Sequence, residues 1–189
     1  MYYSWLLIGM YKLSLSEIFT CRLNSEAYSF LSLYPRMIDW WLARGQEAPQ
    51  GFSDFSAFRS QFYSQWKETW KGCNSQHAQT SCLFALKALN SKVQSKDELK
   101  QSFALVSPVL AKVEDKTLVF TTMQTKKARV ELVPKTVAQC VLLEQAQNKY
   151  WQIGQVFLTP KWCVVPFSKD YDLTQEKDST LQELLKCCL

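Results

Sequence analysis

Hydrophobic positions along this chain change their period twice. Residues Tyr11 to Leu23 (YKLSLSEIFTCRL) alternate, with Leu13 and Leu15 followed by Ile18 and Phe19, and predict a strand. From Asn24 the period becomes helical. Asn24 carries an N-cap side chain. Ala27, Phe30, Leu31, Tyr34, Met37, Ile38, Trp41 and Leu42 then recur at three- and four-residue spacing. Pro35 falls inside that run, where a missing N–H costs on the order of 3 kcal/mol, so a kink or a restart is expected there. Gly45 to Gly51 predicts a loop. Ser53 is placed to cap a second helix, with Phe52 as its hydrophobic staple. Phe55, Phe58, Phe62, Trp66 and Trp70 form that helix's stripe, and Gly72 ends it. A third helix is expected from about Gln76 to Val93, with Ala78, Cys82, Ala85, Leu86, Leu89 and Val93 on one face. Its small residues Ala78, Ser81 and Ala85 allow a close helix crossing.

The polar stretch Ser95 to Phe103 is the best internal boundary, and beyond it a period of two returns. Val109 to Val113 and Thr117 to Thr122 flank Glu114-Asp115-Lys116 as a hairpin. Lys126 to Val133 alternates, with Ala128, Val130 and Leu132 on one face and Lys127, Arg129 and Glu131 on the other. Val137 to Gln147 predicts a short amphipathic helix. Tyr150 to Thr159 and Trp162 to Phe167 form a last hairpin around Thr159-Pro160-Lys161-Trp162. Asp178 to Leu189 has room for one or two helical turns. One strand, three helices and then about five strands make an α+β chain. A strand split from its sheet so early predicts a β-barrel interrupted by an inserted helical lobe of about three helices. Residues 1–23 are then the first strand or strands of the barrel, 24–100 the lobe, 101–169 the rest of the barrel, and 170–189 an acidic tail or helix.

With 189 residues, 47% of them hydrophobic, the chain has enough apolar surface for a core and is not a disordered sequence. Its net charge of +5 is unevenly placed. Residues 101–169 carry nine Lys and Arg against four Asp and Glu, whereas residues 170–189 carry two against five. The β-rich segment is therefore the basic one, which suits a phosphate-binding face. The plainer account is a solvated face with a modest excess of lysine. Seven cysteines without a C-x-x-C pair do not form a secreted disulfide framework, so reduced thiols in a cytoplasmic protein are expected. Met1 to Met10 is apolar, but it lacks the basic region of a signal peptide and is too short to span a bilayer. It reads as a first strand, or as residues upstream of the native start.

Candidate chemistry is sparse. Cys73, His77 and Cys82 have conceivable metal spacing, but a structural zinc needs four ligands and a fourth is not evident. No metal or cofactor is expected, and the plain reading of His77 is a loop residue between helices. A cysteine nucleophile helped by His77, the one histidine, is the least supported reading. With five glycines there is no phosphate-cradling loop, and no small-molecule substrate is evident. Lys126, Lys127 and Arg129, with Lys135, are the strongest phosphate candidates, since they lie on a strand or beside it and Arg can grip phosphate with two N–H groups. An ordinary solvated strand face is the competing account. The aromatic stripe of the second helix is core. Tyr63 lies off that stripe and is the better candidate for stacking on a base.

Four segments taken together carry a resemblance: YKLSLSEIF, the aromatic helix pair, QTSCLFALKALNS, and a β segment ending in IGQVFLTPKWCVVPF. Over roughly residues 11 to 185 the chain resembles the TnpB (OrfB) family of transposon-encoded, RNA-guided DNA endonucleases. The helix near Gln79 to Ser91 is similar to that family's Q-x-x-x-x-x-A-(L/F)-x-x-(L/F) stretch. The strand Trp162 to Phe167 is similar to its W-x-V-x-(I/F) strand. These motifs are patterns of apolar and aromatic residues, not a catalytic signature. The resemblance implies a wedge-type (OB-like) barrel with a helical recognition lobe. It implies binding of structured RNA, the guide scaffold, and recognition of duplex DNA beside the target. In the family a nuclease domain follows, with three carboxylates holding two metal ions and an inserted four-cysteine zinc ribbon. Here the chain ends about where the strand of the first catalytic Asp is expected. Asp170 and Asp172 are expected in a polar linker, not as catalytic groups. The implied reading is a non-enzymatic amino-terminal half, a truncated copy or a fragment. Its rival is a protein-interaction domain with no nucleic-acid ligand.

Overall fold

The computed structural model describes residues 10–47, 54–90, 102–123 and 126–172. Strand β1 (Met10–Leu23) leads into α1 (Ser25–Gln46), α2 (Phe55–Thr69) and α3 (Ser75–Asn90). Then come β2 (Ala104–Val106), a 3-10 turn (Pro108–Leu110), β3 (Ala111–Glu114), β4 (Thr117–Met123) and β5 (Lys126–Val133). Helix α4 (Val137–Gln147) precedes β6 (Gln152–Ile153), β7 (Val156–Leu158) and β8 (Trp162–Asp172). The eight strands form one antiparallel sheet in the order β2-β7-β8-β1-β5-β4-β3, with β6 also on β8. The hydrogen-bonded order is open, because no ladder joins β2 to β3 among the described residues.

Most predicted elements that fall on described residues form, but Val109 and Leu110 belong to the 3-10 turn and the run Tyr150–Thr159 divides into β6 and β7. Asn24 caps α1, its Oδ1 accepting from the Ala27 N–H at 3.0 Å. The same oxygen accepts from the Arg129 N–H at 3.1 Å, which ties the start of α1 to β5. Ala27, Phe30, Leu31, Tyr34, Met37, Ile38 and Trp41 make the buried face of α1. Each large apolar side chain among them contributes about 1.5–3 kcal/mol on burial. The helix runs unbroken through Pro35, so the expected restart does not occur. It also includes Gly45 and Gln46 of the expected loop, whose residues 48–51 lie outside the described residues. Packing of seven buried residues on one face outweighs the hydrogen bond that Pro35 forfeits. At α2 the N-cap is Asp54, which accepts from the N–H groups of Ser56 and Ala57; the expected cap, Ser53, lies outside the described residues. Gly72 closes the helix with φ +86°, where a side chain is strained. On α3 Ala78, Cys82, Ala85 and Leu86 of the expected face are buried, Leu89 is half-buried and Val93 lies outside the described residues; Ser81 accepts the Trp41 indole N–H at 3.1 Å across the α1–α3 contact.

The helices and the sheet share one core. Phe30 meets Phe120 of β4 edge-on at 5.5 Å, and Tyr34 meets Phe103 at 6.2 Å. The β3–β4 turn has Asp115 at φ 52°, as a two-residue hairpin turn requires. Strand β8 extends to Asp172, so Asp170 and Asp172 sit on a strand and not in the expected linker. Strand β1 pairs β8 over Met10–Thr20 and β5 over Thr20–Leu23, so the two partners overlap only at Thr20. The parts of Ser95–Phe103 and Asp178–Leu189 beyond residue 172 or before residue 102, with Cys187 and Cys188, lie outside the described residues. Among the described residues no helix is long and apolar enough to cross a membrane.

Candidate nucleic-acid interface

The alternation of β5 decides where its cations go. Ala128, Val130 and Leu132 are buried, which turns Lys127, Arg129 and Glu131 to the outer face. Register carries that face across the neighbouring strands. Arg129 lies opposite Val119, which lies opposite Lys112, and Glu131 lies opposite Arg22 of β1. Arg22, Lys112, Lys127 and Arg129 therefore share one side of the sheet. Two acids sit among them. Glu114 takes Arg129 at 3.6 Å and also pairs with Lys112, while Glu131 lies 3.7 Å from Arg22. The hydrogen bond from Lys112 holds the Glu114 carboxyl below its ordinary value, and the charges of Lys112, Arg129 and Lys127 add to the effect. Val119, between Lys112 and Arg129, is only 2% exposed although it faces outward.

The other expected contacts do not join this cluster. Lys126 is exposed but has the opposite parity to Lys127. It lines a hollow of about 260 Å³ at the start of α1 with Ser25, Glu26 and Ser29. Ser25, by hydrogen bonding, and more weakly the Lys126 charge hold Glu26 below its ordinary value. Lys135 lies past the other end of β5, roughly 25 Å of strand away. There it lines a hollow of about 480 Å³ with Ile18, Thr20, Lys161 and Trp162. Tyr63 is on α2, which packs on α3, and its ring is already engaged. Trp66 stacks on it at 6.3 Å and 6°, and the Arg59 guanidinium lies 4.6 Å from its centroid. A base stacking on Tyr63 would have to displace one of them.

The hollow around Trp162 is the feature that sequence reasoning passed over. Its signal was present in WCVVPF. Cys163, Val165 and Phe167 point inward and are fully buried, so Trp162, at the opposite parity, points out and is 40% exposed. Thr159 fixes the turn, accepting from the Trp162 N–H and donating its hydroxyl to the Trp162 carbonyl at 2.7 Å. The Cys21 N–H holds the Lys161 carbonyl at 3.0 Å, docking the turn on β1.

The Cys73–His77–Cys82 spacing becomes packing. His77 lies on α3 and is fully buried, not in a loop. Its ring packs 4.6 Å from Phe30, and Nε2–H donates to the Thr121 carbonyl at 2.9 Å. Burial lowers its pKa to about 4, so the ring is neutral and Nδ1 has no partner. Burial pushes the Cys82 thiol up to about 12, which makes it a poor nucleophile. Among the described residues no group of three or more His, Cys, Asp or Glu is arranged to hold a metal ion. Comparison with protein-family models and with curated proteins finds no match.

Proposed function

We propose that this chain is a nucleic-acid-binding module that takes structured RNA, and duplex DNA in addition, through phosphate contacts on the outer face of its sheet. The observation that carries this reading is the shared face of Arg22, Lys112, Lys127 and Arg129 on adjacent strands. Such a surface favours a polyanion by counterion release and reads shape more than sequence. The resemblance to the non-catalytic amino-terminal half of a TnpB nuclease supports the same ligand. The barrel with a helical lobe belongs to this proposal as well. The stagger of β8 and β5 along β1 is what a sheet curling toward closure needs. On this reading the chain binds and does not cut.

One observation favours the rival, a protein-interaction surface. Glu114 and Glu131 neutralise part of the cationic face, and Lys126 and Lys135 lie away from it. A salt titration of binding to an RNA hairpin separates the two readings. The proposal expects affinity to fall linearly in log–log form, with a slope of about −0.7 to −0.9 per phosphate contact. Absence of any salt-sensitive binding to RNA or duplex DNA would leave the protein-interaction reading standing.

A further inference from the structure

The hollow beside Trp162 points to a second contact, of a different kind from the cationic sheet face. We infer that it holds one unpaired nucleotide of a nucleic-acid strand, its base against the Trp162 indole and its flanking phosphates on Lys135 and Lys161. The inference rests on the nucleic-acid reading above and adds to it a site for single-stranded residues.

The indole is the last ring of an aromatic series that begins in the helices. Phe84 of α3 packs on Phe103 at 5.1 Å, Phe103 stacks on Phe157 at 5.4 Å and 14°, and Phe157 stacks on Trp162 at 5.6 Å and 26°. Phe157 thus fixes the indole from one side, and the turn bonds of Thr159 fix its backbone. A ring held in place stacks on a base without paying much ordering entropy. Beside it Ile18 is 62% exposed, which gives the floor an apolar patch. The volume, about 480 Å³, lies within the range of ligand pockets.

The charges around the ring decide the ligand class. Lys135 and Lys161 both line the hollow, no acid does, and neither lysine forms an ion pair among the described residues. This differs from Arg129, which Glu114 already occupies. Backbone anchors keep both lysines in position. The Lys135 N–H donates to Gln139 Oε1 at 2.7 Å, and Gln139 in turn donates to the Ile18 carbonyl at 3.2 Å and to Glu17. A flat aromatic ligand with an anion on either side matches this lining, and a nucleotide within a strand has that form.

The test compares a blunt RNA hairpin with the same hairpin carrying a short single-stranded uridine flank, by fluorescence anisotropy on the whole chain. The flank should tighten binding by about 5- to 100-fold, the worth of one stacked base. Trp162→Leu should abolish that gain and leave blunt-hairpin affinity unchanged, while Trp162→Phe retains part of it. Lys135→Ala with Lys161→Ala should lower the salt slope of the flanked hairpin by about 1.4. A flank that gives no gain, or a gain that survives these variants, overturns the site while leaving hairpin binding intact. Loss of all hairpin binding in the parent overturns the broader reading as well. If circular dichroism shows Trp162→Leu unfolded, the exposed lysine pair decides alone.

Discussion

Replacing Lys127 and Arg129 together by alanine should flatten the salt dependence of RNA-hairpin binding by about 1–1.8 units of log K against log salt. The range follows from the geometry of each cation. Lys127 is exposed on the outer face without an ion pair among the described residues, so it brings one full phosphate contact of about 0.7–0.9. Arg129 is exposed on the same face but lies 3.6 Å from Glu114, so part of its charge is already answered. Adding Lys126→Ala should change the slope little, because Lys126 lies beside Glu26 at the other parity of the strand. Glu114→Gln should act in the opposite sense, steepening the slope and raising affinity by freeing Arg129 and Lys112.

Folding is a small term in that experiment. Exposed substitutions of this kind shift stability by about 0.5 kcal/mol or less. The residue to watch is Val119, which is buried and lies opposite both Arg129 and Lys112 in the ladder. Anisotropy at several salt concentrations gives the slope, and urea denaturation gives the stability. A folded double variant with the parent's affinity and slope would refute the argument that this face meets phosphate. A loss of affinity without a change of slope would mean that the two residues act through shape rather than charge.

The remaining expectations concern the scaffold and the chemistry. His77 has a folded pKa near 4 against 6.5 when exposed, so the unfolded chain binds the extra proton between those values. Stability should be complete above about pH 6.5 and fall by about 3 kcal/mol toward pH 4, and urea midpoints of His77→Gln should lack that part of the slope. Pro35→Ala should raise the melting temperature, by restoring a hydrogen bond and relieving the ring's clash inside α1, together worth up to about 3 kcal/mol; an unchanged melting temperature would show that the helix bends to suit the proline. Gly72→Ala should cost about 1–2 kcal/mol by denaturation, because its φ of +86° is strained for any side chain. The purified chain should not cleave DNA or RNA with Mg²⁺ or Mn²⁺, and cleavage that survives stringent purification would overturn the binding-only reading.

Much of the fold was legible because its signals are local. Lys126–Val133 and Val137–Gln147 form with the predicted ends, since strand alternation in the first and a threonine cap in the second are properties of a few consecutive residues. The course of α1 through Pro35 was not legible, because what overrides the proline is packing against α3 and the sheet. The site was half legible. Periodicity turned Lys127 and Arg129 outward, but their pairing with Glu114 depends on the register of β3 and β4. Lys135 meets Lys161 and Trp162 only because β1 lies between β5 and β8. Tyr63 misled for a related reason. Being off the apolar stripe does not leave a ring free when Arg59 and Trp66 lie one turn away on the same helix.

That central place of β1 also bears on how the two surfaces would act together. Thr20 pairs with Val133 on one side and Trp162 on the other, and Arg22, two residues on, faces the same way. Arg22 therefore lies about 7 Å along β1 from the position beside Trp162, while Arg129 and Lys127 lie four and six residues of β5 beyond Val133, roughly 13 and 20 Å along that strand. The first distance is close to the spacing of successive phosphates in an extended nucleic-acid strand, and the others span a few nucleotides. On the proposed reading a single RNA would place its helical part on Arg22, Lys127 and Arg129 and pass a nearby unpaired residue to Trp162. The second contact would then form at the high effective concentration set by the first. An acidic protein partner would need an aromatic side chain set beside its carboxylates to match both ends, whereas every nucleotide of a strand carries a flat ring between two phosphates. It is the pairing of the two ends, more than the charge of either, that favours nucleic acid.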